Sequence, residues 1–279
     1  MTEIRPLTEA DVDFVLRQTA REGWDTARHR VEIHLAHDPG GAFIATAAGQ
    51  RIGMVTTTRY AAAGFIGNLV VVPDHRSRGV GRALMERGLA HLDAAGVATV
   101  RLDGDPPGVP LYRSLGFVDE WESRRYRASS RDRGAGIGVR PMTDVDLEPV
   151  CALDRPAFGD DRARLLRLLA SRVELSFVAD SAAGVAGFAF AERTSRGVRL
   201  GPLVAADVTI ARSLVEACCA AVAGQAVAIG LPETNIAGCR MLDELSFRTM
   251  SPSLRMVRGP RAAEGDPRCV FAIAGGDVG

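Results

Sequence analysis

The stretch Leu69–Leu92, LVVVPDHRSRGVGRALMERGLAHL, decides how the rest of the chain is read. Aliphatic residues lead to a turn at Pro73-Asp74, then to a loop rich in arginine and glycine, and then to an amphipathic run ending near Ala95-Gly96. That order predicts a strand, an anion-binding loop and a helix. In the spacing Arg76-x-x-Gly79-x-Gly81, glycine allows close backbone approach and leaves amide N–H groups uncovered at a helix start. Those groups and the positive end of the helix dipole attract phosphate, and Arg76, Arg78 and Arg82 add positive charge around them. Beyond the loop, Val80, Leu84, Gly88 and Leu92 fall four apart with Leu89 beside them, an apolar face suited to packing on a sheet. Glycine-containing strand-to-helix turns also occur in α/β proteins that bind nothing there, so the loop alone leaves both readings open.

Around this stretch the chain repeats itself. Ile4-Arg5-Pro6-Leu7-Thr8-Glu9-Ala10-Asp11-Val12 returns as Val139-Arg140-Pro141-Met142-Thr143-Asp144-Val145-Asp146-Leu147, in each case a short strand followed by a helix capped by threonine. Phe43-Ile44-Ala45 through Gly53-Met54 matches Phe177-Val178-Ala179 through Gly187-Phe188, each a hairpin with a bulge expected at the glycine of its second strand. Leu111–Phe117 likewise matches Met241–Phe247. The linker-like composition of Ser129–Gly138 divides the copies, giving domains at 1–130 and 138–279. The expected elements of the first copy are a strand, one or two helices (Thr8–Arg21, Thr26–Ala36), a hairpin and a strand Phe65–Val72. The loop helix Gly79–Ala95, a strand Ala98–Asp103, a short helix Val109–Leu115 and a last strand near Phe117–Tyr126 complete it.

The 279 residues fit two domains, and the 34 basic residues, all arginine, balance 34 acidic ones. That balance argues against nucleic-acid or membrane-surface binding. The five cysteines form no C-x-x-C pair and read as reduced thiols of a cytoplasmic protein. The N-terminus lacks the basic and apolar pattern of a signal peptide, and no apolar run approaches the ~20 residues of a membrane span.

With its motifs in this order, the chain resembles the GNAT superfamily of N-acetyltransferases. The family's R/Q-x-x-G-x-G/A motif is matched by Arg76-Ser77-Arg78-Gly79-Val80-Gly81, and its late L-Y-x-x-x-G-F phrase by Leu111-Tyr112-Arg113-Ser114-Leu115-Gly116-Phe117. The resemblance implies an α+β fold: two GNAT-like domains, each a mixed, mostly antiparallel twisted sheet flanked by helices. It also implies acetyl-CoA as the acyl donor, with Arg76, Ser77, Arg78, Gly79, Val80, Gly81 and Arg82 cradling the pyrophosphate of coenzyme A. Leu69, Val70 and Val71 would pair with the pantetheine arm. In the second copy Arg76, Gly79 and Gly81 fall on Ala206, Thr209 and Ala211, and Tyr112 on Leu242, which implies a degenerate domain without a pyrophosphate loop.

Acetyl transfer to an amine needs a neutral nucleophile, a donor for the oxyanion and a proton for the departing thiolate. The resemblance assigns the last to Tyr112 and the oxyanion donor to a backbone N–H at or near Val70. Many relatives carry a glutamate on the strand before the loop, whereas this strand has Asn68, which can orient a water. Asp103 is then the candidate base or amine-binding group, with Asp105 beside it. Asp25, His29, His34 and Trp24 lie in the region that borders the acceptor site in the family. His34-x-x-His37-Asp38 offers too few ligands for a metal, so none is expected. The expected activity is transfer to a primary amine of a small molecule through a ternary complex, by a monomer or homodimer. A non-catalytic acyl-CoA sensor or assembly module, and an acyltransferase for another acyl group or acceptor, are the alternatives.

Overall fold

A computed structural model of the chain describes residues 2–24, 26–130, 136–262 and 264–279. Asp25 and residues 131–135 of the expected linker therefore lie outside the described residues. The first half runs β1 (Thr2–Pro6), α1 (Val12–Arg21), α2 (Arg28–His37), β2 (Ala42–Ala47), β3 (Gln50–Arg59) and β4 (Ala63–Val71). It continues through α3 (Val80–Ala94), β5 (Thr99–Gly104), α4 (Val109–Ser114) and β6 (Val118–Ser129). The second half repeats this order as β7 (Val139–Pro141), α5 (Leu147–Phe158), α6 (Ala163–Ala170), β8 (Leu175–Ser181), β9 (Gly184–Thr194) and β10 (Gly197–Ala205). After these come α7 (Val208–Ala221), β11 (Ala226–Pro232), α8 (Ile236–Glu244), β12 (Arg248–Arg258) and an additional strand, β13 (Val270–Ala272). Both halves thus have the mixed, mostly antiparallel α+β architecture expected from the sequence.

The repeated phrase at the start of each half encodes the same local clamp. Asp11 accepts from the Thr8 N–H (2.9 Å) and Oγ1 (3.0 Å) while Arg5 grips both its oxygens at 2.7 Å. Asp146, Thr143 and Arg140 repeat that arrangement. In each hairpin the bulge falls one residue before the expected glycine, where Ala45 pairs with Gly53 and Ala179 with Gly187. A Cβ on Gly53 would lie 2.9 Å from the Val70 carbonyl of β4 and 3.0 Å from Leu84 of α3, and one on Gly187 would lie 2.7 Å from Ile210 of α7, so the close packing at each bulge leaves no room for a side chain. The predicted face of α3 is the one that is buried: Val80, Leu84, Gly88, Leu89 and Leu92, joined by Met85.

The strands form one continuous sheet in the order β1-β2-β3-β4-β5-β12-β6-β11-β10-β9-β8-β7. The halves exchange their sixth strands. β12 pairs antiparallel with β5, from Leu254 opposite Gly104 to Arg258 opposite Val100, and β6 pairs with β11 from Ser129 opposite Ala226 to Ser123 opposite Pro232. β12 and β6 lie side by side at the centre. Nothing in the repeat signals this exchange, because the two sixth strands are of nearly equal length, 12 residues in β6 and 11 in β12.

Candidate active site

β4 and β5 pair in parallel only from Ala63 opposite Thr99 to Phe65 opposite Arg101. Asn68 then takes a left-handed backbone conformation (φ 51°), and the register with β3 skips between Met54 and Thr56. Asparagine tolerates this region better than most residues. Val70 and Val71 rejoin β3 on one side, opposite Met54 and Gly53. Their other edge has no strand partner among the described residues, so β4 offers backbone N–H and C=O groups to an extended molecule.

The same strand feeds the arginine-glycine loop. Ser77 (φ 57°) and Gly79 (φ 83°) turn the chain into α3, whose start carries no side-chain cap. The N–H groups of its first turn are therefore available to an anion. Arg76 donates from Nε to the Val71 carbonyl (2.8 Å) and pairs with Glu22, while Arg82 reaches Ser114 Oγ (2.7 Å). Gly79 is required by its backbone. Gly81 is not, since an added Cβ there would come no closer than 3.6 Å to Leu111. The absent side chain matters only to something approaching from outside the protein.

The corresponding place in the second half is closed twice over. β10 and β11 also pair in parallel, from Val198 opposite Val227 to Leu200 opposite Ile229. Beyond this, β13 pairs with Leu203 and Val204 of β10, and the Ile273 N–H reaches the Gly230 carbonyl of β11 (2.7 Å). The helix start of α7 is filled as well, because the Asp207 carboxylate accepts from the N–H groups of Thr209 (2.8 Å) and Ile210 (2.9 Å).

Tyr112 lies on α4, where its ring covers Gly104 at the end of β5 and Gly108 just before the helix. A Cβ at either would sit within 2.9 Å of the ring or its hydroxyl, so both glycines make room for it. Burial pushes the phenol up to about 12, with the Asp105 charge adding to the rise. Complete proton transfer to a free alkyl thiolate, of pKa ~8.5, is then uphill by roughly 3.5 units. At neutral pH the phenol is a hydrogen-bond donor, and its proton can move only as the C–S bond breaks.

The other sequence candidates gather around a cleft of about 390 Å³ lined by Trp24, Asn68, Asp103, Asp105, Glu192 and Asp277, among others. Asp103 is not free within it. Its carboxylate forms a buried ion pair with Arg255 of the exchanged strand β12, and that guanidinium stacks 4.5 Å from the Trp121 ring. Asp105 accepts from Trp24 Nε1 (3.0 Å) and Arg125 (2.8 Å). His29 meets Glu192 (2.8 Å), and Arg30 binds the same carboxylate. Burial would raise the Glu192 carboxyl, but Arg30, His29 and Arg199 overcome it and hold the group at about 2. His34 and His37 face different partners, Asp277 (2.7 Å) and the Arg59 carbonyl (3.0 Å). Among the described residues no three metal-ligating side chains converge.

Asp277 is the residue that sequence reasoning missed. The segment following β13 crosses from the second half into the first and places this side chain against Gly67 and Asn68. Asn68 Nδ2 donates to Asp277 Oδ2 (3.1 Å) and also to Thr56 Oγ1 (3.0 Å). Thr58 donates to the Asp277 carbonyl (3.1 Å), Tyr60 to that of Val278 (2.6 Å) and Arg162 to that of Gly279 (3.1 Å). Burial would raise the Asp277 carboxyl, but His34, Arg30 and Arg199 outweigh it and hold the group well below the usual carboxylate range. A sequence signal exists only in retrospect: a Cβ on Gly67 would lie 2.3 Å from that of Asp277, and one on Gly276 would lie 2.9 Å from that of Asp103.

Comparison with known proteins agrees with this geometry. Residues 10–117 match the acetyltransferase (GNAT) family profile, and residues 150–272 match a second acetyltransferase (GNAT) domain profile. The chain therefore belongs to the GNAT superfamily as a tandem-domain N-acetyltransferase, and its fold is one that binds acyl-CoA. It is 27% identical to holothin acyltransferase of a Pseudoalteromonas species, over 99% of this chain and 94% of that protein. A mycothiol acetyltransferase of Thermobispora bispora is 42% identical over 91 residues, which are 29% of this chain and 31% of that protein. Among solved structures, an acetyltransferase of Pyrococcus horikoshii superposes with a TM-score of 0.87 at 25% identity, over 100% of this chain and 96% of its own. Among the described residues no helix is long and apolar enough to cross a membrane.

Proposed function

We propose that the chain transfers an acetyl group from acetyl-CoA to a primary amine of a small molecule, by direct attack in a ternary complex. The observation that carries this reading is the β4–β5 gap opening beside the uncapped start of α3. Acetyl-CoA brings the activated thioester, and the chain binds and orients it. Residues Arg76 to Arg82 take the pyrophosphate, the free edge at Leu69, Val70 and Val71 takes the pantetheine arm, and a backbone N–H near Val70 receives the oxyanion. Tyr112 is the donor to the leaving sulfur. Asn68 orients polar groups at the bulge, and Asp103 is a wall of the cleft held by Arg255 in place of a free base. The first copy, 1–130, carries this site. The second copy, 138–279, is degenerate as a cofactor binder, a reading supported by β13 in its gap and Asp207 at its helix start. The protein acts in the cytoplasm as a monomer or homodimer, without nucleic acid as partner.

Transfer of a different acyl group is the second reading, favoured by the holothin acyltransferase relative, whose name specifies no acetyl group. One thiol-release assay tests both: acetyl-, propionyl- and hexanoyl-CoA, each with a panel of 1,4-diaminobutane, phenethylamine and glycinamide. Amine-dependent release is expected, and Tyr112→Phe should lower turnover ~10- to 10⁴-fold with KM for the acyl-CoA largely retained. Binding of acyl-CoA with no amine-dependent release would replace catalysis by a sensor role.

A further inference from the structure

Resting on the acetyltransferase reading above, we propose that Asp277 is the seat of the acceptor's ammonium group, so that the last segment of the second half completes the active site of the first. Amine acceptors arrive protonated, with a pKa near ~10, and a carboxylate in the cleft is a suited partner for the ammonium group. The expected place for one, on β4 ahead of the loop, holds Asn68. Its amide is bound to Asp277 Oδ2, so the carboxylate lies directly against the bulge, one to two residues from the free edge of β4.

The rest of the geometry suits a seat. Oδ2 is taken by His34 Nε2 at 2.7 Å and Asn68 Nδ2 at 3.1 Å, whereas Oδ1 accepts no hydrogen bond among the described residues. The side chain is 19% exposed, and the residue lines the cleft. The other candidate carboxylates are less open: both oxygens of Asp105 are taken, by Trp24 and Arg125, and both of Glu192, by Arg30 and His29, while Asp103 pairs with Arg255 with its side chain only 3% exposed. Three carbonyl contacts, from Thr58, Tyr60 and Arg162, pin the segment on which Asp277 sits, so the carboxylate is held in position before the acceptor arrives. The role is binding and orientation. A carboxylate this well stabilised in its charged form does not retain the proton that the amine must lose before attack.

The test is steady-state kinetics of the full chain with the amine from the panel that it turns over best. Asp277→Asn keeps the shape and removes the charge, and should raise KM for that amine ~10- to 100-fold, the size of a lost charge-assisted contact. The KM for acetyl-CoA should stay within about threefold, since its loop is elsewhere. Gly67→Ala leaves the charge but drives a methyl group into Asp277, and should raise the amine KM in the same direction while circular dichroism reports an intact fold. An amine KM within twofold of wild type in Asp277→Asn would overturn the proposal, as would a fall in kcat with KM unchanged. If the wild-type chain released no thiol with any amine, the acetyltransferase reading itself would fail, and it would do so before any variant was made.

Discussion

Replacing Asp103 by asparagine separates a structural carboxylate from a catalytic one. The Asp103 and Arg255 side chains are 3% and 5% exposed, so the substitution leaves a guanidinium buried without its counter-charge. Breaking a buried pair by removing one partner costs about 3–5 kcal/mol. Arg255 keeps its stacking on Trp121 (4.5 Å) and Phe65 (5.1 Å), worth up to ~2 kcal/mol in desolvated settings, and the asparagine oxygen can still accept from it. The expected loss is therefore about 2–4 kcal/mol, or roughly 3–7 °C in Tm for a chain of this size. Urea and thermal unfolding would measure it, and Asp103→Asn combined with Arg255→Met should recover at least half, because the pair is then removed as a unit. Turnover of the folded single variant should stay within about threefold of wild type, whereas loss of a general base costs ~10²–10⁴-fold. An unchanged Tm with turnover down a hundredfold would refute the assignment and return Asp103 to the chemistry.

Other outcomes follow from the same contacts. Asp11 is held well below the ordinary carboxylate range by the Arg5 hydrogen bonds, which with Arg51 and Thr8 outweigh the opposing effect of burial. Its contribution is thus present above the unfolded pKa of ~4 and lost as pH falls further. Asp11→Asn should cost about 2–3 kcal/mol at pH 7 by urea unfolding, with the gap to wild type closing below about pH 4. Asp207→Ala removes the cap of α7 and should cost about 1 kcal/mol without changing acetyl-CoA affinity by calorimetry, because β13 still fills the neighbouring gap.

Much of the fold was legible because each half states it in local chemistry. Thr8 and Thr143 mark helix starts, the turns at Ala48-Gly49 and Ala183-Gly184 mark hairpins, and residues 80, 84, 88, 89 and 92 mark the buried face of α3. The loop at Arg76–Arg82 was legible for the same reason: glycine spacing and arginine content are local properties. The exchange of β6 and β12 was not, since strand alternation specifies a buried face and not the identity of the neighbour. Asp277 was hidden more deeply. It lies outside every repeat and motif, and its setting comes from His34 and Asn68, more than 200 positions away in sequence. For Asp103 the residue was legible but its partner was not, because Arg255 arrives on the exchanged strand.

That exchange also bears on how the chain is made. When β6 has left the ribosome, β5 still lacks its neighbour β12, and β6 lacks both of its own. At ~5–20 residues per second, the roughly 120 residues to β12 take about 6–24 s, during which the exposed edges of a half-built sheet invite pairing with other chains. The sheet of the N-terminal half is therefore complete only once β12 has been made, and the segment that carries Asp277 emerges later still.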